Sequence, residues 1–280
     1  MSNLISRLVV GVIGLPLVLG LVWLGGWWLY VLVLVASIVA VHEFVTVARP
    51  LRPLAPALYL GVALALTLAE TSGVVWMLGG MLATFVFAFF ASVLAKTRAP
   101  STVAIGATVL GATWIGFGLA HLLLLRGIEP HGRLLAFTVL LTVWAADTLA
   151  YFGGRLLGRH KLAPSLSPAK TWEGFFIGSL VGIFVSFVAL YDTRHTYLSV
   201  WQAVVLGIVV VLAAVVGDLF ESMLKRDMQV KDTGSLLGGL LLGVVEALGM
   251  HLTSPSLKMV LSYGVFMLVL ITRPNGLFAR

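Results

Sequence analysis

Apolar residues run along this chain in long blocks from Leu8 to Ile271, interrupted by short polar segments. The blocks fall at 8–24, 27–42, 53–69, 74–95, 103–124, 134–153, 174–190, 200–220, 236–252 and 257–272. Most have the ~17–25 residues with which a helix crosses ~30 Å of hydrocarbon, where only helices and closed barrels can satisfy their own backbone groups. The pattern predicts an all-α, polytopic integral membrane protein with about nine or ten transmembrane helices. A second block follows the first almost at once, and no convincing small-residue cleavage site lies between them. The first block is therefore expected to stay attached rather than act as a cleaved signal.

Composition agrees with this pattern. Of 280 residues, 60% are hydrophobic and 10% charged, against roughly 25% charged in soluble domains. A water-soluble fold is excluded. The chain has no cysteine, so disulfides, thiolate metal sites and cysteine nucleophiles are ruled out, and any chemistry must use oxygen and nitrogen groups. A net charge of +7 raises the question of nucleic acid, but in so apolar a chain basic residues report topology, and no nucleic-acid partner is expected. With the N-terminus inside, Arg7, Arg49, Arg52, Lys96, Arg98, Arg155, Arg159, Lys161, Lys170, Lys225, Arg226, Lys231, Arg273 and Arg280 are cytoplasmic. Only Arg126, Arg133, Arg194 and Lys258 fall outside. The expected location is an integral membrane position with the polar, active face in the cytoplasm.

Three polar clusters interrupt the apolar pattern on that face. In WAADTLAYFGGRLLGR, Asp147 stands inside an apolar run. A carboxylate there is costly unless paired, hydrated or metal-bound, which suggests a functional role, with a structural ion pair as the alternative. Gly153 and Gly154 beside it also suit close helix packing. The connection from Arg155 to Gly174 contains two prolines and many small polar residues, and it predicts an ordered loop. Within it, SLSPAKTWEG supplies Ser165, Ser167, Thr171, Lys161 and Lys170 as donors for phosphate oxygens, and Thr171 is equally suited to cap the next helix. The glycines of a Walker A loop are absent, so a capped loop and a phosphate site both stay open.

The third cluster is GDLFESMLKRDMQVKD. Helical spacing places Asp218, Glu221, Ser222 and Lys225 along one stripe, followed by Arg226, Lys231 and Asp232. Acids beside a dense basic group suit a divalent cation held together with a polyphosphate, because Mg²⁺ takes oxygen ligands and shares them with substrate phosphates. A Glu221–Lys225 pair at a helix end with topology-setting lysines is the alternative.

Taken in order, the three segments resemble the cytoplasmic motifs of the phosphatidate cytidylyltransferase (CDP-diacylglycerol synthase) family. The resemblance covers about residues 1–234 and includes the opening RLVVGVIGLPLVL. It implies a bacterial inner-membrane nucleotidyltransferase of phospholipid biosynthesis. Its substrates would be CTP and phosphatidate, its products CDP-diacylglycerol and pyrophosphate, and its cofactor Mg²⁺. It implies a metal role for Asp218, with Asp147 and Asp232 as further acids of the centre. Lys170, Lys225, Arg226 and Lys231 would hold phosphates, and Glu221 would orient a neighbouring base. Ser165, Ser167, Thr171 and Ser222 would position substrate. The bilayer and a second copy of the chain are the expected partners besides the substrates.

The chain departs from that family beyond Gly234. The family pattern continues into a proline-glycine-histidine-glycine-glycine turn and an aspartate-arginine pair with a further aspartate; here the chain reads SLLGGLLLGVVEALGM. Gly238 and Gly239 are present, and Glu246 is the one acid of the stretch, so the implied ligand set is incomplete and turnover is in question. From about Leu237 to Arg280 the tail, ending VLITRPNGLFAR, resembles the end of a branched-chain amino-acid ABC transporter permease. The expected organisation is N-terminal membrane helices over 1–130, a catalytic-type region over 131–234 and an atypical C-terminal hairpin over 235–280. A permease subunit is the alternative function, although it leaves Asp147, Lys170 and the Lys225 to Asp232 cluster without a role.

Overall fold

The computed structural model describes residue 14, residues 16–94 and residues 101–228. Within them lie seven helices long and apolar enough to span a bilayer. A helical stretch over 16–24 leads into α1 (Gly26–Val47), followed by α2 (Ala55–Ser72) and α3 (Val74–Leu94). The next span, Thr102–Arg126, is here α4; its middle, Ala112–Phe117, is wound as a π-helix. Then come α5 (Gly132–Leu157), the strands β1 (Lys161–Ala163) and β2 (Ser167–Thr171), α6 (Trp172–Leu190) and α7 (Val200–Asp227). The predicted blocks from 27–42 to 200–220 each correspond to one of these helices. The blocks at 236–252 and 257–272, the hairpin over 235–280 and the permease-like tail lie outside the described residues.

Short connections make successive helices antiparallel, so one end of the bundle carries the starts of α1, α3, α5 and α7. The other carries their ends and the hairpin. A buried cluster drawn from all seven helices, including Val41, Leu58, Leu66, Ile115, Val139, Leu190 and Leu206, forms the core. The π segment contributes Trp114, whose ring lies 4.4 Å from that of Phe220, and thereby ties α4 to the part of α7 that carries the third polar cluster.

α6 shows how the sequence sets its own orientation. Trp172, Phe176, Leu180, Phe184 and Val188 are exposed, and Gly174, Gly178, Gly182 and Ser186 are buried. Each set repeats every four residues, so one stripe of large side chains faces lipid while a stripe of small ones faces protein. Lipid tails are as apolar as leucine, so helices gain little by hiding apolar area from them, and close backbone approach is what holds the pair. A Cβ added at Gly178 would lie 2.4 Å from the Ala146 carbonyl oxygen and 2.7 Å from the Ala150 Cβ. Ser186 adds a hydrogen bond, its hydroxyl donating to the Ala203 carbonyl of α7 at 2.8 Å.

Gly178→Leu is therefore expected to force α5 and α6 apart, at a cost of about 1–3 kcal/mol typical of overpacking. The measurement is the melting temperature in detergent beside Leu180→Ala on the lipid face. Equal melting temperatures for the two variants would contradict the packing argument.

Candidate functional site

The hairpin and the ends of α5 and α7 build the site. The segment predicted as a loop between Arg155 and Gly174 is instead shared among four elements. α5 continues to Leu157, β1 pairs antiparallel with β2, and α6 begins at Trp172. Lys161 faces Thr171 and Ala163 faces Ser167 in the register, with an irregularity between them. Two prolines did not prevent strand pairing because Pro164 sits in the turn and Pro168 in a two-stranded sheet, where a missing N–H is tolerated at an edge.

The hairpin is clasped at both ends. At its base, the Glu173 carboxylate accepts from the His160 backbone N–H at 3.2 Å and meets His160 Nδ1 at 2.6 Å. The Trp172 N–H donates to the His160 carbonyl at 2.9 Å. Thr171 caps α6, its hydroxyl accepting from the Gly174 N–H at 3.2 Å. It is buried against Gly154 and Gly158, so the capping role considered for it is the observed one. At the turn, Arg226 Nε of α7 donates to the Leu166 carbonyl at 2.5 Å.

These clasps direct β2 toward the helix ends. Lys170 Nζ forms an ion pair with Asp218 Oδ2 of α7, their side chains 25% and 27% exposed. Asp147 of α5 and Glu221 of α7 are near enough for their charges to act on the same ammonium. Burial pushes Lys170 down to about 8, against the opposing influence of Asp147 and Glu221. Desolvation has outweighed the neighbouring acids, as expected for a cation withdrawn from water among hydrocarbon-lined helices. One lysine thus faces three carboxylates from two helices.

The remaining predicted residues are placed as follows. Ser222 lies one residue beyond Glu221 on the continuous helix α7 and is half-buried, Ser167 is half-buried at the start of β2, and Ser165 is exposed in the turn. Arg226 is exposed, with its Nε held by the hairpin. Lys225 belongs to α7, but its side chain is outside the described residues, as are Lys231, Asp232 and Glu246. The structure therefore brings together Asp147, Lys170, Asp218 and Glu221, with the hairpin serines and Arg226 beside them. The His160–Glu173 clasp and the glycine stripe of α6 were missed in the sequence. The stripe was legible as glycine at every fourth position, and Glu173 as an acid in the first turn after the threonine cap.

Oxygen donors are what Mg²⁺ takes, and it commonly uses one or two carboxylates, completing its shell with phosphates and water. Among the described residues no group of three or more acids and histidines is arranged to hold a metal by itself. Asp218 with Asp147 or Glu221 fits the shared mode of binding rather than a closed protein cage.

Comparison with known proteins gives this arrangement a family context. The pattern of the cytidylyltransferase family matches residues 5–241, which carries the match past Leu237. The chain is 30% identical over 237 residues to a phosphatidate cytidylyltransferase of Staphylococcus haemolyticus, covering 83% of this chain and 89% of that one. It is 39% identical over 112 residues to the Haemophilus influenzae protein of the same name, an alignment that spans 39% of each chain. A Brucella abortus protein, also called phosphatidate cytidylyltransferase, is 39% identical over 129 residues, 46% of this chain and 47% of its own.

Proposed function

Because the chain belongs to the cytidylyltransferase family, we propose that it transfers the cytidylyl group of CTP to phosphatidate, giving CDP-diacylglycerol and pyrophosphate. The observation that carries the reading is Lys170, half-buried beside the ends of α5 and α7, ion-paired with Asp218 and under the charges of Asp147 and Glu221. A cation and several carboxylates held where both lipid and water have access suit a reaction between a lipid phosphate and a nucleotide. The transporter alternative gives these four residues no task.

In the reaction an oxygen of the phosphatidate phosphate attacks the α-phosphorus of CTP. The new phosphorus–oxygen bond forms as the bond to the β-phosphate bridge breaks, and pyrophosphate leaves with the electron pair. No covalent enzyme intermediate is needed, so the protein contributes positioning and charge neutralisation. Lys170 would neutralise oxygens of the transferred phosphoryl group, with Ser165 and Ser167 donating from the hairpin. Arg226, by holding the Leu166 carbonyl, would keep that hairpin in register with α7. Asp218 and Asp147 would hold Mg²⁺, which supplies further neutralisation of the triphosphate when bound.

The face bearing the hairpin is assigned to the cytoplasm of a bacterial inner membrane, where CTP is available. The basic residues Arg49, Arg155, Arg159, Lys161 and Arg226 at that end of the bundle support the assignment. Purified protein in detergent, given radiolabelled CTP, phosphatidate and Mg²⁺, is expected to release labelled CDP-diacylglycerol. Product no higher than in a protein-free control would defeat the proposed activity.

A further inference from the structure

At the end of the bundle opposite Lys170 lies an open cavity of about 870 Å³ whose lining includes Trp23, Glu70, Arg126, Glu129, Arg133 and Phe137. Two cations and two anions are thus gathered in one apolar-walled space. Among the described residues none of the four takes part in an ion pair. The cations are held by rigid parts of the fold. Arg126 caps the helical stretch before Gly25, donating to the carbonyls of Val22 at 2.8 Å and Trp23 at 2.9 Å. Gly25 has a φ of +69°, and a Cβ there would come within 2.7 Å of that guanidinium. The Arg133 guanidinium stacks 4.3 Å from the centre of the Trp23 ring. Capping accounts for Arg126 and ring stacking engages Arg133, while Glu70 and Glu129 in the same cavity are explained by neither.

The depth of the cavity identifies its surroundings. Trp27, Trp28, Trp76 and Trp201 are all more than half exposed. They stand in the first turns of α1, α3 and α7, at the end of the bundle where the cavity opens. Exposed tryptophans gathered at one level of a bundle mark the boundary between headgroups and hydrocarbon. A ligand there would have a charged part in the cavity and an apolar part in the adjoining lipid.

We propose that this cavity binds the headgroup of a zwitterionic glycerophospholipid bearing a primary ammonium, in the leaflet opposite the hairpin. Its phosphate lies against Arg126 and Arg133, and its ammonium against Glu70 and Glu129. An anionic lipid would satisfy the arginines and leave the two carboxylates facing its negative charge, so the charge balance of the cavity selects against it. The site is distinct from the cytidylyl-transfer centre and does not depend on that reading.

Native mass spectrometry of detergent-purified protein offered phosphatidylethanolamine, phosphatidylglycerol or inorganic phosphate tests the proposal. The wild-type chain is expected to retain one phosphatidylethanolamine, about tenfold better than phosphatidylglycerol, a factor equal to one well-matched charge contact. Arg133→Gln is expected to lower retention of both lipids. Glu70→Gln is expected to lower retention of phosphatidylethanolamine alone, and both variants should keep wild-type melting temperature and cytidylyl transfer. Equal retention of the two lipids by the wild type, or unchanged retention in both variants, would overturn the proposal. So would displacement of bound lipid by inorganic phosphate, which would make the cavity a free-anion site. If Arg133→Gln does not fold, Glu70→Gln decides on its own.

Discussion

Asp218→Asn is expected to lower kcat/KM for CTP by about 10²- to 10³-fold, the usual loss when one fixed charge or donor acting on a phosphoryl transition state is removed. The substitution keeps the size of the side chain and removes the charge that Lys170 now meets. Lys170 would then lose its ion-pair partner and keep only the charges of Asp147 and Glu221. The stability change should be small. Both partners are about a quarter exposed, so the pair stabilises the fold by about 1 kcal/mol or less. A large loss of rate with an almost unchanged melting temperature is the signature of a group that acts in the reaction. The assay follows radiolabelled CTP into lipid at several CTP and Mg²⁺ concentrations. Activity within threefold of wild type would remove Asp218 from the centre.

The parts of this site that lie on single helices were legible in the sequence, and the parts that depend on long-range contact were not. The block at 74–95 marks the start of α3 to the residue, because the helix begins at Val74 where the apolar run begins. The block at 200–220 falls short of α7, which continues to Asp227, because hydropathy ends at the membrane boundary while the backbone hydrogen bonds do not. That extra length carries Glu221, Ser222 and Arg226, and the stripe inferred from their spacing requires it. Helical periodicity could place Asp218 beside Glu221 but could not show that Lys170, from a different element, would meet Asp218. The hairpin was harder still. Strands of three and five residues offer too few positions for alternation to register, and Pro164 in the turn and Pro168 in β2 read as loop signals. The π segment in α4 likewise has no pattern of its own in ATWIGF. Its consequence, the contact between Trp114 and Phe220, exists only once the bundle has formed.

Lys170→Met is expected to lower turnover by about 10²- to 10³-fold for a different reason, and metal binding distinguishes the two variants. In the wild-type chain the Lys170 ammonium already neutralises the carboxylates around it, so a divalent cation competes with a resident charge. Methionine retains much of the apolar stem and removes that charge. Asp147, Asp218 and Glu221 would then repel one another and gain from any cation that enters, because like charges in a poorly hydrated space cannot all stay ionised without compensation. Mn²⁺, read by electron paramagnetic resonance, is expected to bind the variant without nucleotide about tenfold more tightly than the wild type, a change of ~1.4 kcal/mol. Asp218→Asn should shift Mn²⁺ affinity in the opposite direction, since it removes an oxygen ligand and leaves the ammonium in place. Lys170→Arg is expected to keep Mn²⁺ affinity near wild type yet recover little turnover, because a planar guanidinium cannot reproduce a compact ammonium between two helix ends. Weaker Mn²⁺ binding in Lys170→Met would mean that Lys170 supports the carboxylates as ligands rather than competing for them, and its role would have to be reassigned from charge neutralisation to positioning.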